Sequence, residues 1–188
     1  MSFPKLIDYR TAADAARVDQ LRDRLLSGTA TEADRLEWLD GHIGAYNAED
    51  LNRVESAVDF LQKYLNGLQA SLDAYRAERM VADDPLWLIP WSALDLIVKT
   101  DWTMQDIPAE GDLARYLSNV DIVTDAIAIV KNLPESMVQL DYLGANEIER
   151  ALIREHDAAT AYETGTKQLI DNTHAAFVYS GEIYGGEF

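Results

Sequence analysis

The stretch GAYNAEDLNRVESAV, Gly44 to Val58, has the grammar of a helix being switched on. Asn47 carries a short side-chain carbonyl that can accept from the free N–H groups of a first turn. Glu49 and Asp50 then place negative charge where a helix end is positive. From there apolar residues stand at Leu51, Val54, Val58, Leu61, Leu65, Leu68, Leu72 and Tyr75, in steps that alternate three and four. A seam that keeps this rhythm predicts a long helix packed along its length against other helices. Ala57, Phe60 and Tyr64 widen the apolar side, which suits a multi-helix bundle better than a two-stranded coil. Asn66-Gly67 is a turn signal inside the pattern; the unbroken register predicts that the helix runs through it.

Before this stretch, TAADAARVDQLRDRLLSG (Thr11 to Gly28) reads as a first helix with Thr11 or Asp8 as cap, Val18, Leu21 and Leu25 on one face, and Ser27-Gly28 as stop. TEADRLEWLDG reads as a short second helix with Trp38 and Leu39 facing inward. After it, Asp83-Asp84-Pro85 breaks the pattern, and Trp87, Trp91 and Trp102 are expected to anchor a satellite core. A further helix should open near Ile107-Pro108, carry Leu113, Tyr116, Val120, Val123, Ile127 and Val130 on one face, and end at Asn132-Leu133-Pro134. The last is expected from about Leu143 to Asn172, with Ala145, Ile148, Leu152, Ala159, Tyr162 and Leu169 inward and Glu155 and Thr166 interrupting the seam. The tail FVYSGEIYGGEF alternates apolar and small residues, which predicts a strand or hairpin pairing through Phe177, Tyr179, Ile183 and Tyr184.

Three helix starts resemble one another. NAEDLNRVESAV, PAEGDLARYLSNV and GANEIERALI each set acidic or amide residues ahead of a Leu/Ile-x-Arg step: Leu51-Arg53, Leu113-Arg115 and Ile148-Arg150. Capping chemistry produces such likeness by itself; the alternative is three related helices packed around one axis.

The chain has 188 residues, an apolar fraction of 48% and a formal net charge of −17. Through Met80 the net is −4 and from Val81 onward it is −13. Such a balance argues against holding nucleic-acid phosphates and against adhesion to an anionic membrane. There is no cysteine, so disulfides and thiolate chemistry are excluded. MSFPKLIDYR shows no secretory signal, and the most apolar run, Leu86 to Val98, is too short to span a bilayer. A soluble protein is expected.

Catalytic patterns do not emerge. His42, His156 and His174 lie outside any nucleophile-elbow context. Asp171-x-x-His174 offers two ligands on one helical face but lacks the second pair a metal site needs. No phosphate loop or dinucleotide fingerprint occurs. No enzyme, catalytic residue, metal or cofactor is therefore expected.

The pattern Tyr46-Asn47-Ala48-x-Asp50-Leu51-Asn52-Arg53-Val54-Glu55 resembles the helix-starting motif of tail-fibre and baseplate proteins of phages that infect Gram-positive bacteria. EWLDGHIGAYNAEDLNRVESAV, KTDWTMQDIPAEGDLARYLSNV, LPESMVQLDYLGANEIERAL and YSGEIYGGE extend the likeness to small prophage-encoded structural proteins of gut bacteria. The resemblance implies a virion or tail-tip component, assembled in the host cytoplasm, that contacts other phage tail proteins. In such proteins a helix of this kind opens a trimeric bundle. Neither a long repetitive shaft nor a receptor-binding domain is visible, so an adaptor or fibre base fits better than a complete fibre. In that setting Asn47, Leu51, Asn52, Val54, Val58, Leu61 and Leu65 form the expected oligomer interface, with Asn47 either fixing register between copies or only capping its own helix.

The expected architecture is mainly α: an elongated helical bundle with heptad seams and a short C-terminal β-strand or hairpin. Residues 1–82 form an N-terminal helical region, 83–106 a Trp-rich connection, 107–173 a C-terminal helical region and 174–188 a β tail. The expected function is a non-enzymatic phage tail, baseplate or fibre-base adaptor, assembled as a homo-oligomer, with a trimer favoured, and contacting neither nucleic acid nor membrane. The alternative is an acidic regulatory protein that mimics DNA to occupy a host nucleic-acid enzyme. Arg115, Lys131, Arg150, Arg154 and Lys167, interspersed through the acidic part, weaken it.

Overall fold

The computed structural model of the chain describes residues 2–81, 88–127, 129–138 and 140–184, without the side chains of 177–184. Five helices follow in order: α1 (Ala12–Leu26), α2 (Glu32–Asp40), α3 (Ala48–Glu78), α4 (Glu110–Thr124) and α5 (Tyr142–Tyr184). No strand occurs among the described residues. Their starts are written in short polar side chains. Thr11 and Thr31 each accept from an N–H three residues on, and Asp14 and Asp34 return the bond to the cap backbone at 2.8 and 3.0 Å. Asn47 accepts from Glu49 and Asp50, while the Asp50 carboxylate accepts from Asn47 N at 2.9 Å. Gly28 stops α1 in a left-handed conformation, φ +72°.

α3 is the axis. Leu51, Val54, Val58, Leu61 and Leu65 are buried against Tyr116, Val120 and Val123 of α4 and Ile148, Leu152 and Ala159 of α5, with Leu6 and Trp102 completing the same core. The heptad seam expected to face other copies thus closes inside one chain, and apolar area already removed from water has nothing further to gain from a second copy. The two helical regions divided at residues 82 and 107 share this core, so the described chain packs as one bundle.

α3 runs straight through Asn66-Gly67. Gly67 faces open space, and Asn66, the other half of the turn signal, works across the bundle instead. Its amide accepts from Leu94 N at 2.8 Å and donates to Leu94 O at 2.7 Å. The same grip recurs along α3. Gln69 accepts from Ile89 N at 2.9 Å, Gln62 brackets Leu96 at 2.9 and 3.3 Å, Glu55 accepts from Lys99 N at 2.8 Å, and Asn52 brackets Trp102 at 2.7 and 2.8 Å. Positions 52, 55, 62, 66 and 69 form a polar stripe beside the apolar one. It holds residues 89–102 as an extended strap running antiparallel to α3. Buried backbone groups need partners, and here helix side chains supply what a neighbouring strand would. Leu94, Leu96 and Val98 pack against the core while Ile97 between them is exposed.

Several expectations are corrected. Trp102 belongs to the main core and Trp91 packs against it, its Nε1 donating to Leu65 O at 3.4 Å, so these two indoles build no satellite core; Trp87 and Asp83-Asp84-Pro85 lie outside the described residues. α4 ends at Thr124, well short of Asn132, and Val130 is 87% exposed. Lys131 folds back to donate to Asp121 O at 2.7 Å, satisfying a terminal carbonyl and opposing the negative helix end. In α2, Trp38 and Leu39 are exposed and only Asp34 is buried. Asp34 takes Arg24 at 2.9 Å and Arg17 at 3.5 Å, so ion pairs turn the polar side of α2 toward α1. On α5 the seam runs through Glu155 and reaches Ile170, leaving Leu169 exposed. The tail through Phe177, Tyr179, Ile183 and Tyr184 continues α5 as helix instead of turning into a strand. Propagating a helix closes each new bond within the chain, whereas a lone hairpin is marginal in water. Residues 185–188 lie outside the described residues.

Because the seam is internal, Val58→Asp should abolish folding rather than release folded subunits. A carboxyl forced into that packed seam, ionised or protonated, costs several kcal/mol on top of the lost packing, a large share of the ~5–15 kcal/mol that holds a typical domain together. Circular dichroism should show the loss of helix at every protein concentration; a folded, lower-mass species would contradict the internal seam.

Candidate functional site

The head of α3, where the opening stretch lies, collects the buried charge of the molecule. Arg10 comes from the N-terminal segment, Asp50 and Arg53 from the first turns of α3, and Glu149 from α5. Arg10 Nη2 donates to Asp50 and to Glu149, each at 2.7 Å. Arg53 donates from Nε to Glu149 Oε2 at 2.9 Å and from Nη2 to Oε1 at 2.8 Å, and also pairs with Asp50. Ile7 N gives Glu149 a fourth bond at 2.6 Å. Two cations face two anions, so the formal charge of the knot cancels. Asn146 of α5 brackets Arg10 through its backbone, accepting from Arg10 N at 2.9 Å and donating to Arg10 O at 2.8 Å. Burial opposes the charge on Arg53, but hydrogen bonds and attraction from Glu149 and Asp50 outweigh it and raise its pKa. Beside the knot the hydroxyls of Tyr46 and Tyr116 bond to each other, and burial pushes both pKa values well up, so both rings stay neutral.

The likeness among three helix starts has a structural counterpart. Arg53 of α3 reaches Glu149 on α5, and Arg115 of α4 reaches Glu55 on α3 through two bonds of 2.7 and 3.0 Å. Arg150 of α5 turns instead to Asp8 O at 3.0 Å and to Glu147. The three helices do pack around a common core, and the arginines of two starts tie each to its neighbour. Glu149 already accepts four donors. Arg10 Nε is buried without a hydrogen-bond partner, but every oxygen of Glu149 is taken, and what the knot does is hold helices in register.

The open surface lies just outside it. A cavity of ≈ 520 Å³ is walled by Trp38, Leu39, His42, Tyr46, Trp102 and Met104, with Asp40 and Glu49 also lining it. A second of ≈ 280 Å³ shares Tyr46, Asn47, Ala48, Trp102, Thr103 and Met104 and runs on to Leu51, Asp106 and Pro108. Together they form one groove across the N-terminus of α3. Gly44, just ahead of the lining residues Ala45 and Tyr46, lets the chain approach α1 closely, since a Cβ there would overlap the Asp14 carbonyl. Two nitrogens of the lining residues, Trp102 Nε1 and His42 Nε2, are buried without a hydrogen-bond partner; the latter stands 3.5 Å from the Glu37 carboxylate. A comparable cavity between α4 and residues 133–138 is lined by none of the residues with such an atom.

The expected interface residues are distributed as follows. Asn47 caps its own helix and lines the groove; Leu51 is buried at the groove floor. Asn52 holds the strap, and Val54, Val58, Leu61 and Leu65 lie in the core. Arg10, Asn146 and Glu149 escape the sequence reading, because nothing local marks an acid that pairs across the fold. Among the described residues no group of three or more His and acidic side chains is placed to hold a metal ion. His174 and Asp171 are not brought into such a group, since Asp171 takes the Tyr75 hydroxyl at 2.9 Å and the Arg79 guanidinium. No protein family, curated protein or solved structure matches this chain.

One buried carboxyl stands apart. Glu155 of α5 is fully buried, neither oxygen has a partner in good hydrogen-bond geometry, and burial pushes its pKa up to about 7, opposed by the nearby Ile127 N–H and by Lys131 and assisted by Asp125. A carboxyl that binds its proton more tightly when folded makes stability fall as pH rises. The penalty begins near the unfolded value of 4.5 and is complete above about 7, where it amounts to about 3 kcal/mol. Glu155→Gln should therefore raise Tm at pH 8, with the gap from the parent narrowing toward pH 5. Glu149→Gln should act oppositely and lose about 3–5 kcal/mol at neutral pH, because it leaves two buried guanidinium groups under-compensated. Urea titrations of both variants at two pH values check the pair.

Proposed function

We propose that this chain is a non-enzymatic structural protein of a phage virion, an adaptor at the tail, baseplate or fibre base. The observation that carries the reading is the resemblance at YNAEDLNRVESAV, together with where its segments lie. The three longest supply Asp50, Arg53, Glu55, Trp102, Arg115, Asn146 and Glu149, the residues that tie α3, α4, α5 and the strap together. An exposed apolar surface adds support: Leu36, Leu39, Met104 and Ile107 are each more than half exposed on an otherwise strongly acidic chain.

Assembly into a homo-oligomer, a trimer in the resembled proteins, belongs to the same proposal, but it draws on surfaces other than the heptad seam. The DNA-mimic alternative has less behind it, because Asp50, Glu55, Glu149 and Glu155 are buried and so cannot stand in an exposed row of phosphate-like charges. Mass spectrometry of particles purified from an induced host should find the chain at a fixed ratio to the major tail proteins. Light scattering of the isolated protein should give a multiple of 21.0 kDa. Absence from particles that carry a complete tail would overturn the reading.

A further inference from the structure

The groove across the head of α3 shares apolar walls and an anionic lining with the cavity between α4 and residues 133–138, and differs from it in holding two buried nitrogens, Trp102 Nε1 and His42 Nε2, without a hydrogen-bond partner. Trp38 and Leu39 form one side, Met104 and the buried Trp102 the other. Asp40 and Glu49 line the larger cavity and Asp106 the smaller, and neither lining includes a lysine or arginine. Asp106 accepts from Thr103 N at 2.6 Å and Thr103 Oγ1 at 3.0 Å, but the two carboxylates of the larger cavity are not consumed in this way. Asp40 and Glu49 appear in no ion pair among the described residues, whereas Asp34, Asp50 and Glu149 each hold arginines. Trp102 Nε1 adds a buried N–H donor with no acceptor, a group that is costly to leave unmatched.

We propose that this groove docks a linear segment of another protein that carries apolar side chains flanked by lysine or arginine. The apolar residues enter between Trp38, Leu39 and Met104, and the flanking cations meet Asp40, Glu49 and Asp106. Charge complementarity selects this occupant over a second copy of the chain, since a molecule of net charge −17 repels its own kind at an anionic rim. The combined cavity volume suits two or three side chains rather than a whole helix face. The proposal rests on the adaptor reading and specifies the chemistry of the partner such an adaptor would hold. It also gives the opening stretch a purpose beyond starting a helix: Tyr46 to Glu49 form the groove floor.

The test uses the full-length protein and its own tryptophans as reporters. Twelve-residue probe peptides are titrated in three forms: Leu/Phe flanked by lysines, the same apolar residues flanked by glutamates, and lysines among serines. Binding of the first alone, with a change in tryptophan emission and weakening as salt is raised, is the expected result. Leu39→Glu, at an exposed position that does not hold the fold, should weaken that binding at least tenfold. Asp40→Lys combined with Glu49→Lys should transfer preference to the glutamate-flanked peptide. Equal binding of the lysine–serine peptide would reduce the effect to net charge and overturn the proposal. So would unchanged affinity in Leu39→Glu, or no binding at all. Binding of free indole at the same site in preference to every peptide would make it a small-molecule pocket, which also overturns it. Presence of the chain in particles is read independently, so a failed groove and a failed adaptor reading are distinguishable.

Discussion

The arrangement of the whole molecule hangs on one buried carboxylate. Glu149 sits where the N-terminal segment, α3 and α5 meet, and takes donors from Ile7, Arg10 and Arg53. An ionised carboxylate in such a place is tolerable only when it is paired and fully hydrogen-bonded. That requirement fixes the neighbours: Arg10 must reach inward, Asp50 must balance the second arginine, and Asn146 must hold the Arg10 backbone still. Packed apolar side chains commonly match a buried ion-pair cluster in stability. They do not match it in selectivity. An apolar interface tolerates sliding, whereas a knot of four charges is neutral in one register only.

Much of the fold is legible from the chain. Thr11, Thr31 and Asn47 announce their helices because capping is local chemistry, settled within four residues. The seam from Leu51 to Leu72 is legible because burial imposes a period, and it correctly carries α3 through Asn66-Gly67. What periodicity cannot state is which surface satisfies it. The same heptads suit neighbouring chains or neighbouring helices of one chain, and here α4 and α5 supply the partner. The orientation of α2 was lost for a related reason: Trp38 and Leu39 look inward by hydropathy, but Asp34 outbids them by pairing with two arginines of α1.

Less of the candidate site could be read. Glu149 looks like one acid among thirty-three until Arg10, far away in sequence, is placed against it. Trp102 was expected to anchor a core of its own and instead closes the main one while forming a groove wall. The hint that was present, the repeated Leu/Ile-x-Arg step after each acidic helix start, became meaningful only when the arginines of α3 and α4 were found on the glutamates of neighbouring helices. Long-range charge pairing leaves no period in a sequence, and that is why this layer stayed hidden.

The strap carries a consequence of its own. Asn52, Gln62, Asn66 and Gln69 take hold of main-chain N–H groups, which every amino acid except proline possesses. The outward side chains of residues 89–102 are consequently close to invisible to the fold, and substitutions such as those at Asp95 or Ile97 leave the gripping bonds in place. The burden of memory falls on the helix, where losing one amide loosens the segment at that rung. Over generations the outward positions of the strap can change their spelling while α3 and the inward Leu94, Leu96, Val98 and Trp102 keep their grammar, so two chains of this build can diverge at every other strap residue and still fold alike.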